Sequence, residues 1–415
     1  MKGYWLTNAE KWLKQERNTI KYSVFVSIVI TVFSYVMGNT GIPLPGETQV
    51  LKDFDDLKEF FGLQRGHVPD SFLFVNVCYD KDMVEYEENG IPVGKTAITD
   101  RAKLLRLLQT AYRANNYRYI FLDVIFDNTI ETPYDSALFH TIASMDRIVI
   151  PSHADVVLKD SVLCEKAANA DYLTTWKVAT FSRYQYQPND EITVPLRMYI
   201  DRKHVKGNGI EKHCGGLWYT DGGRLCQSAV VLQLPVTMLG SLIDEEGQVR
   251  ERNYVYLGSD LLEEDFPMEE QIDDKIVVIG DFKNDVHLTY QGNQPGSAIC
   301  VNAYIALMNG DHIVKWWYVV FLFVIYVIVG YFYLNGKSFS TLFRNPWLGV
   351  VMSFFSTATL FLLIAIFVNL FGIVFNMWVP TTVYSLIDTY IQKRNLFKTK
   401  KNEKSANAHS SVSMD

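Results

Sequence analysis

Hydrophobic and polar positions follow two different patterns along this chain. Four stretches are nearly free of charge: residues 22–38, 316–334, 348–370 and 372–391. Each is near or beyond the length of about 17 apolar residues that a helix needs to cross a bilayer. Residues 316–334 carry no charged side chain, and at about 1.5 Å per residue they reach roughly 28 Å as a helix. Between the first two stretches, residues 39–315 have the mixed composition of a globular domain. Short β-branched runs at 71–79 (SFLFVNVCY), 117–126 (YRYIFLDVIF), 147–151 (RIVIP) and 275–280 (KIVVIG) read as buried strands.

Helical spacing fills the gaps. Residues 101–113 turn Leu104, Leu105, Leu107 and Leu108 inward behind Thr99 as N-cap, and 134–144 follow Thr132-Pro133 with Leu138 and Ile142 on one face. Residues 297–309 repeat Ile299, Ala303, Ala306 and Leu307, and Gly310 suits the C-cap. Strand, helix, strand, helix, strand with short turns predicts an α/β fold: a mainly parallel sheet with helices on both faces and right-handed crossovers. The predicted architecture is this domain outside the cytoplasm plus four transmembrane helices. Less regular stretches predict an amphipathic helix at 51–63, a polar excursion at 80–95 and strands at 172–181 and 192–199. A helix at 227–243 interrupted near Pro235, a strand within 247–259 and a polar loop at 281–294 complete the reading.

Basic residues set the orientation. Lys11, Lys14, Arg17 and Lys21 precede the first span, Lys337 and Arg344 lie between the second and third, and Lys393, Arg394 and Lys398 follow the last. All three segments fit on the cytoplasmic side, which puts 39–315 on the far side. The divisions are then 1–21 as an N-terminal cytoplasmic or interfacial segment, 335–347 as a cytoplasmic loop and 392–415 as a basic, disordered tail. A cleaved signal peptide is the alternative for 22–38, but residues 35–39 offer no small-x-small cleavage pattern. The chain has a net charge of −7, its acidic excess lies in the middle domain, and this argues against a nucleic-acid partner.

Ligands of open parallel sheets gather beyond the carboxyl ends of the strands. Those ends carry Asp80 and Asp82, then Asp123 and Asp127, then Asp281, Asp285 and His287, while His153 follows the third strand and Asp100 and Arg101 open a helix. Carboxylates flanking an arginine would hold an amine, a sugar or a cation; ordinary loop polarity and helix capping explain the same residues without a ligand. Asp123, inside an apolar strand, needs a partner, and Arg101 is the candidate. No Gly-x-Ser-x-Gly, HExxH or P-loop pattern occurs, so a non-enzymatic reading is favoured, with a hydrolase as the weaker alternative. The five cysteines show no metal spacing, and no cofactor is expected. Cys214 and Cys226 flank GGLWYTDGGRL and are the first choice for one disulfide in an oxidising compartment, although sequence does not fix connectivity.

Residues 72–80, 99–101, FLDVIF at 121–126, Asp135–Ala137 with 148–151, KIVVIGDF at 275–282, Pro295-Gly296 and VNAYIALMN at 301–309 occur in an order that resembles the second type of CHASE domain, an extracellular sensor module of bacterial receptors. The resemblance implies an α/β sensor domain in the periplasm or exterior, held in the inner membrane by one span before it and three after. Members of that family commonly continue into a kinase or cyclase. Here about twenty-four residues follow the last expected span. The expectation is therefore a membrane sensor that binds a small molecule or protein and signals through a separate effector chain, with a homodimer among the compatible arrangements. A structural scaffold subunit of a membrane complex is the competing expectation.

Overall fold

The computed structural model describes residues 16–39, 71–88, 91–127, 130–154, 156–158, 160–171, 183–187, 190–203, 209–231, 253–262, 267–290 and 292–335, with isolated positions near 52, 60 and 379–386. The chain divides into two units. One comprises 1–40, 314–370 and 374–415, and the other 41–313 with 371–373.

In the first unit two described helices are long and apolar enough to cross a membrane, Arg17–Gly38 and Trp316–Leu334, with mean hydropathies of 1.8 and 2.2. They pack through small and aromatic residues one turn apart. Ser23, Ser27, Ile30 and Ser34 form the buried stripe of one helix, and Tyr318, Leu322, Tyr326 and Gly330 that of the other. Ser23 Oγ donates to the Val327 carbonyl at 2.6 Å. Gly330 permits this approach, because a Cβ there would sit 2.7 Å from Ser23 Oγ. The outward faces carry Phe25, Ile28 and Val32, and Val320, Val324 and Ile328. The expected span 348–370 lies outside the described residues, as does 372–391 apart from helical positions such as Val379 and Tyr384. Among the described residues there are two candidate membrane helices rather than four.

The second unit is built on a six-stranded sheet in the order Tyr254–Tyr256, Phe72–Asn76, Ile276–Gly280, Tyr119–Leu122, Ile148–Ser152, Ala167–Asn169. Every pairing is parallel. Alternate residues serve opposite faces. Leu73, Val75, Ile120, Leu122, Ile148, Val277 and Ile279 point into one core with Leu104, Leu107 and Leu108 of Arg101–Ala114, Leu138 and Ile142 of Asp135–Ser144, and Leu163 of Ser161–Lys166. The intervening residues serve the other face, covered by Gly296–Asn309 and Val194–Lys203. There Phe72 meets Tyr304 edge-on at 6.3 Å, and Tyr119 Oη donates to Asp201 at 2.7 Å. Burial on both faces explains why Phe72–Asn76, Tyr119–Leu122 and Ile276–Gly280 are apolar without alternation.

Several local expectations are corrected. Asp100, not Thr99, caps Arg101–Ala114, its carboxylate accepting from the Ala102 and Lys103 amides at 2.9 and 3.1 Å. The polar excursion after Asp80 is a hairpin, Lys81–Glu88 with Ile91–Thr99, and the loop after Asp281 contains a second, Val286–Thr289 with Gly292–Pro295. Residues expected as a strand at 192–199 form the helix Val194–Lys203. Ala229–Val231, expected as helix, pairs as a strand with Arg183–Gln185, and the rest of that expected helix lies outside the described residues. So does the expected strand 172–181, together with most of 51–63.

The disulfide is corrected too. Cys214 and Cys226 are free, the first exposed and the second buried. GGLWYTDGGRL makes two reversals, so Trp218–Asp221 is the middle strand between Ile210–His213 and Arg224–Cys226. Tyr219 pairs with Lys212 on one side and Cys226 on the other. A full strand thus separates the two thiols, about 10 Å across two sheet spacings, beyond disulfide reach.

Candidate ligand-binding cleft

The sheet changes character between Ile276–Gly280 and Tyr119–Leu122. The chain leaving Tyr119–Leu122 enters Asp135–Ser144 on one face, while the chain leaving Ile276–Gly280 enters Gly296–Asn309 on the other. Adjacent parallel strands whose connections part to opposite faces leave a crevice at their carboxyl ends. A cleft of about 670 Å³ lies there. Its wall contains five carboxylates (Asp123, Asp127, Asp171, Asp281 and Asp285) against Lys81 and Arg101, with His153 and His287 between them.

Asp123 continues the ladder of its strand, its amide donating to the Ile279 carbonyl at 2.7 Å. By alternation its side chain shares the face of Tyr119 and Phe121, under the start of Gly296–Asn309. Gly280 makes room for it, since a Cβ at 280 would lie 3.3 Å from Asp123 Cβ and 3.1 Å from Ser297 Oγ. Burial, then the negative charge of Asp285, pushes the Asp123 carboxyl up to about 7, against a smaller opposing effect of His287. Asp285 accepts from or shares a proton with His287 Nε2 at 2.9 Å. That pair lies directly over Gly296, where a Cβ would come 2.7 Å from Asp285 Oδ2 and 3.2 Å from His287 Nε2. Across the mouth, His153 Nδ1 meets Asp171 Oδ1 at 2.8 Å, and Asp171 Oδ2 accepts the Ala154 amide at 2.9 Å. Asp281 pairs with Lys81 at 2.8 Å. Burial pushes its carboxyl up, but hydrogen bonds from Asn284 and Lys81 outweigh burial and hold it below the usual range.

Arg101 is 5 % exposed. Its guanidinium lies over the Phe126 ring at 4.2 Å, and Nη2 donates to the Ile125 carbonyl at 3.0 Å. Burial pushes it down to about 10, opposed by the charge of Asp135. It is not paired with Asp123, contrary to the sequence expectation: no hydrogen bond or ion pair joins them, and the guanidinium is held by Ile125 and Phe126.

Of the residues singled out from sequence, Arg101, Asp123, Asp127, His153, Asp281, Asp285 and His287 line one cleft, whereas Asp80, Asp82 and Asp100 do not. Asp80 is buried in a structural pair with Lys103 at 2.6 Å and accepts the Gly258 amide at 3.1 Å, and Asp100 is occupied as a cap. Sequence reasoning missed Lys81 and Asp171. Asp171 stands two residues beyond Ala167–Asn169, so it obeys the strand-end rule, but a three-residue strand gives no pattern to mark its end. The described residues hold no cluster of three metal-binding side chains.

The second unit is thus an α/β unit with a parallel sheet and an open acidic cleft at its topological switch point, and the first contributes two helices suited to a bilayer. The chain matches no protein-family model, no curated protein and no solved structure.

Proposed function

We propose that this chain is a membrane-anchored sensor of the CHASE-like kind, whose α/β unit binds a small molecule bearing an amine, with multiple spans and the cleft on the extracytoplasmic side. The carrying observation is the charge balance of the cleft, five carboxylates against one lysine and one arginine, with Lys81 already engaged by Asp281. A protonated amine is the group that such a wall would compensate, and it would let Asp123 ionise without a buried excess of negative charge. The volume suits a small ligand. The open cleft supports ligand binding over a purely structural role: Tyr184 and Tyr186 are fully buried and do not line it. The route to an output would run from Gly296, in the cleft wall, along Gly296–Asn309 and through six intervening residues of sequence to Trp316–Leu334, and on to a separate effector chain.

The test is calorimetric titration of the purified full-length protein in detergent with hexylamine, 1,5-diaminopentane and hexanoate. Saturable binding of the amines, lost in Asp123→Asn and Asp285→Asn, is expected, with no binding of hexanoate alone. Amines that bind the variants as they bind the wild type would remove the reading.

A further inference from the structure

One donor in the cleft region is unaccounted for. Arg101 Nη1 is buried and has no hydrogen-bond partner among the described residues, although the same guanidinium is held by Ile125 and Phe126. An unsatisfied N–H on a buried cation forgoes a hydrogen bond that water would have given it. Arg101 also presents a planar fork suited to a carboxylate. The cleft therefore has a second pole, opposite in sign to the Asp123–Asp285 pole.

The poles are separated. Asp123 lies on the face of Tyr119 and Phe121, under Gly296–Asn309, whereas Arg101 opens the helix Arg101–Ala114 on the opposite face and is fixed over Phe126 of that core. A ligand that bridges them carries its two charges farther apart than an α-amino acid does.

We infer that the ligand is a zwitterion with a terminal amine held by Asp123 and Asp285 and a terminal carboxylate held by Arg101, in the class of ω-amino acids and dipeptides. This rests on the amine-binding reading above and specifies its other end. The two glycines at the amine pole, Gly280 and Gly296, fit the same picture, because each keeps a Cβ out of the space where Asp123 and the Asp285–His287 pair meet the cleft.

The deciding experiment compares 6-aminohexanoate, glycylglycine, hexylamine, hexanoate and glycine on the full-length wild-type protein by calorimetry. 6-Aminohexanoate is expected to bind at least tenfold more tightly than hexylamine, and glycine more weakly than either. In Arg101→Met 6-aminohexanoate should lose its advantage and bind no more tightly than hexylamine. Equal wild-type affinities for 6-aminohexanoate and hexylamine would overturn the carboxylate pole and leave the amine site standing. Failure of every amine to bind would overturn both. The wild-type comparison holds even if Arg101→Met, whose side chain is buried on Phe126, proves unstable.

Discussion

Replacing Asp123 by asparagine tests the electrostatics of the cleft most directly. The side chain keeps its shape and loses its charge. In the folded protein the Asp123 carboxyl sits at about 7 against an ordinary 3.8, raised by burial and by Asp285. The folded state therefore holds a proton between pH 4 and 7 that the unfolded chain has released. Stability falls as pH rises through that window, because the unfolded state binds fewer protons there. A rise of roughly three pKa units corresponds to at most about 4 kcal/mol at about 1.4 kcal/mol per unit. Asp123 is only half-buried and faces an open cleft, so solvent screening reduces this to roughly 2 kcal/mol. Asp123→Asn should be more stable than wild type by about 2 kcal/mol at pH 8 and equal to it near pH 4. Thermal melts of both full-length proteins in detergent, followed by intrinsic fluorescence between pH 4 and 8.5, give the difference with other titrating groups common to both. A difference that is independent of pH, or a variant less stable at pH 8, would refute the assignment. The same proton governs binding. An amine that pairs with ionised Asp123 should gain affinity by close to tenfold per pH unit below 7 and then level off, with proton release on binding below that point.

Other outcomes follow from particular contacts. Gly296→Ala should lower amine affinity about tenfold in titration with little change in melting, since its Cβ would displace the Asp285–His287 pair from the wall without touching the core. Gly258→Ala should destabilise the α/β unit by about 1–3 kcal/mol in chemical unfolding, because its Cβ would collide with the buried Asp80 carboxylate and disturb the Lys103 pair. Asp221→Ala should cost about 3 kcal/mol by the same measurement, since it strips His312 and Tyr199 of an acceptor that both reach, at 2.9 and 2.7 Å, inside the protein. Alkylation without reductant, read by mass spectrometry, should label Cys214 rapidly and leave Cys226 protected, and reductant should leave the melting temperature unchanged.

The legible parts of this fold are those in which burial is two-sided. FLFVN, YIFL and IVVIG sit in the middle of a covered parallel sheet, so they read as unbroken apolar runs, and the helix stripes between them follow from one-sided packing. Where burial is less regular the pattern misleads. Ile192, Val194, Leu196 and Met198 alternate as a strand would, yet Val194–Lys203 is a helix whose buried face also takes in Pro195 and Tyr199. The hairpin after Asp80 presents Lys81, Asp82, Met83 and Glu85 to solvent in succession, so no period of two marks it as sheet.

The cleft follows the same division. Asp123, His153 and Asp281 were readable because each stands just past a strand that could itself be read, and in a parallel sheet that position has a location in space. Asp80 obeys the same rule and still falls outside the cleft. Its strand lies one position farther from the switch point, where Lys103 and the Gly258 amide close around the carboxylate and spend it on structure. Arg101 shows the converse. Sequence placed it beside Asp123 because a buried carboxylate asks for a cation, whereas the fold gives Asp123 a neighbouring carboxylate and gives Arg101 an aromatic face. Arg101 has Asp135, the Ile125 carbonyl and the Phe126 ring around it and keeps one buried donor open, and on the proposed reading the Asp123 side of the cleft is completed by an amine.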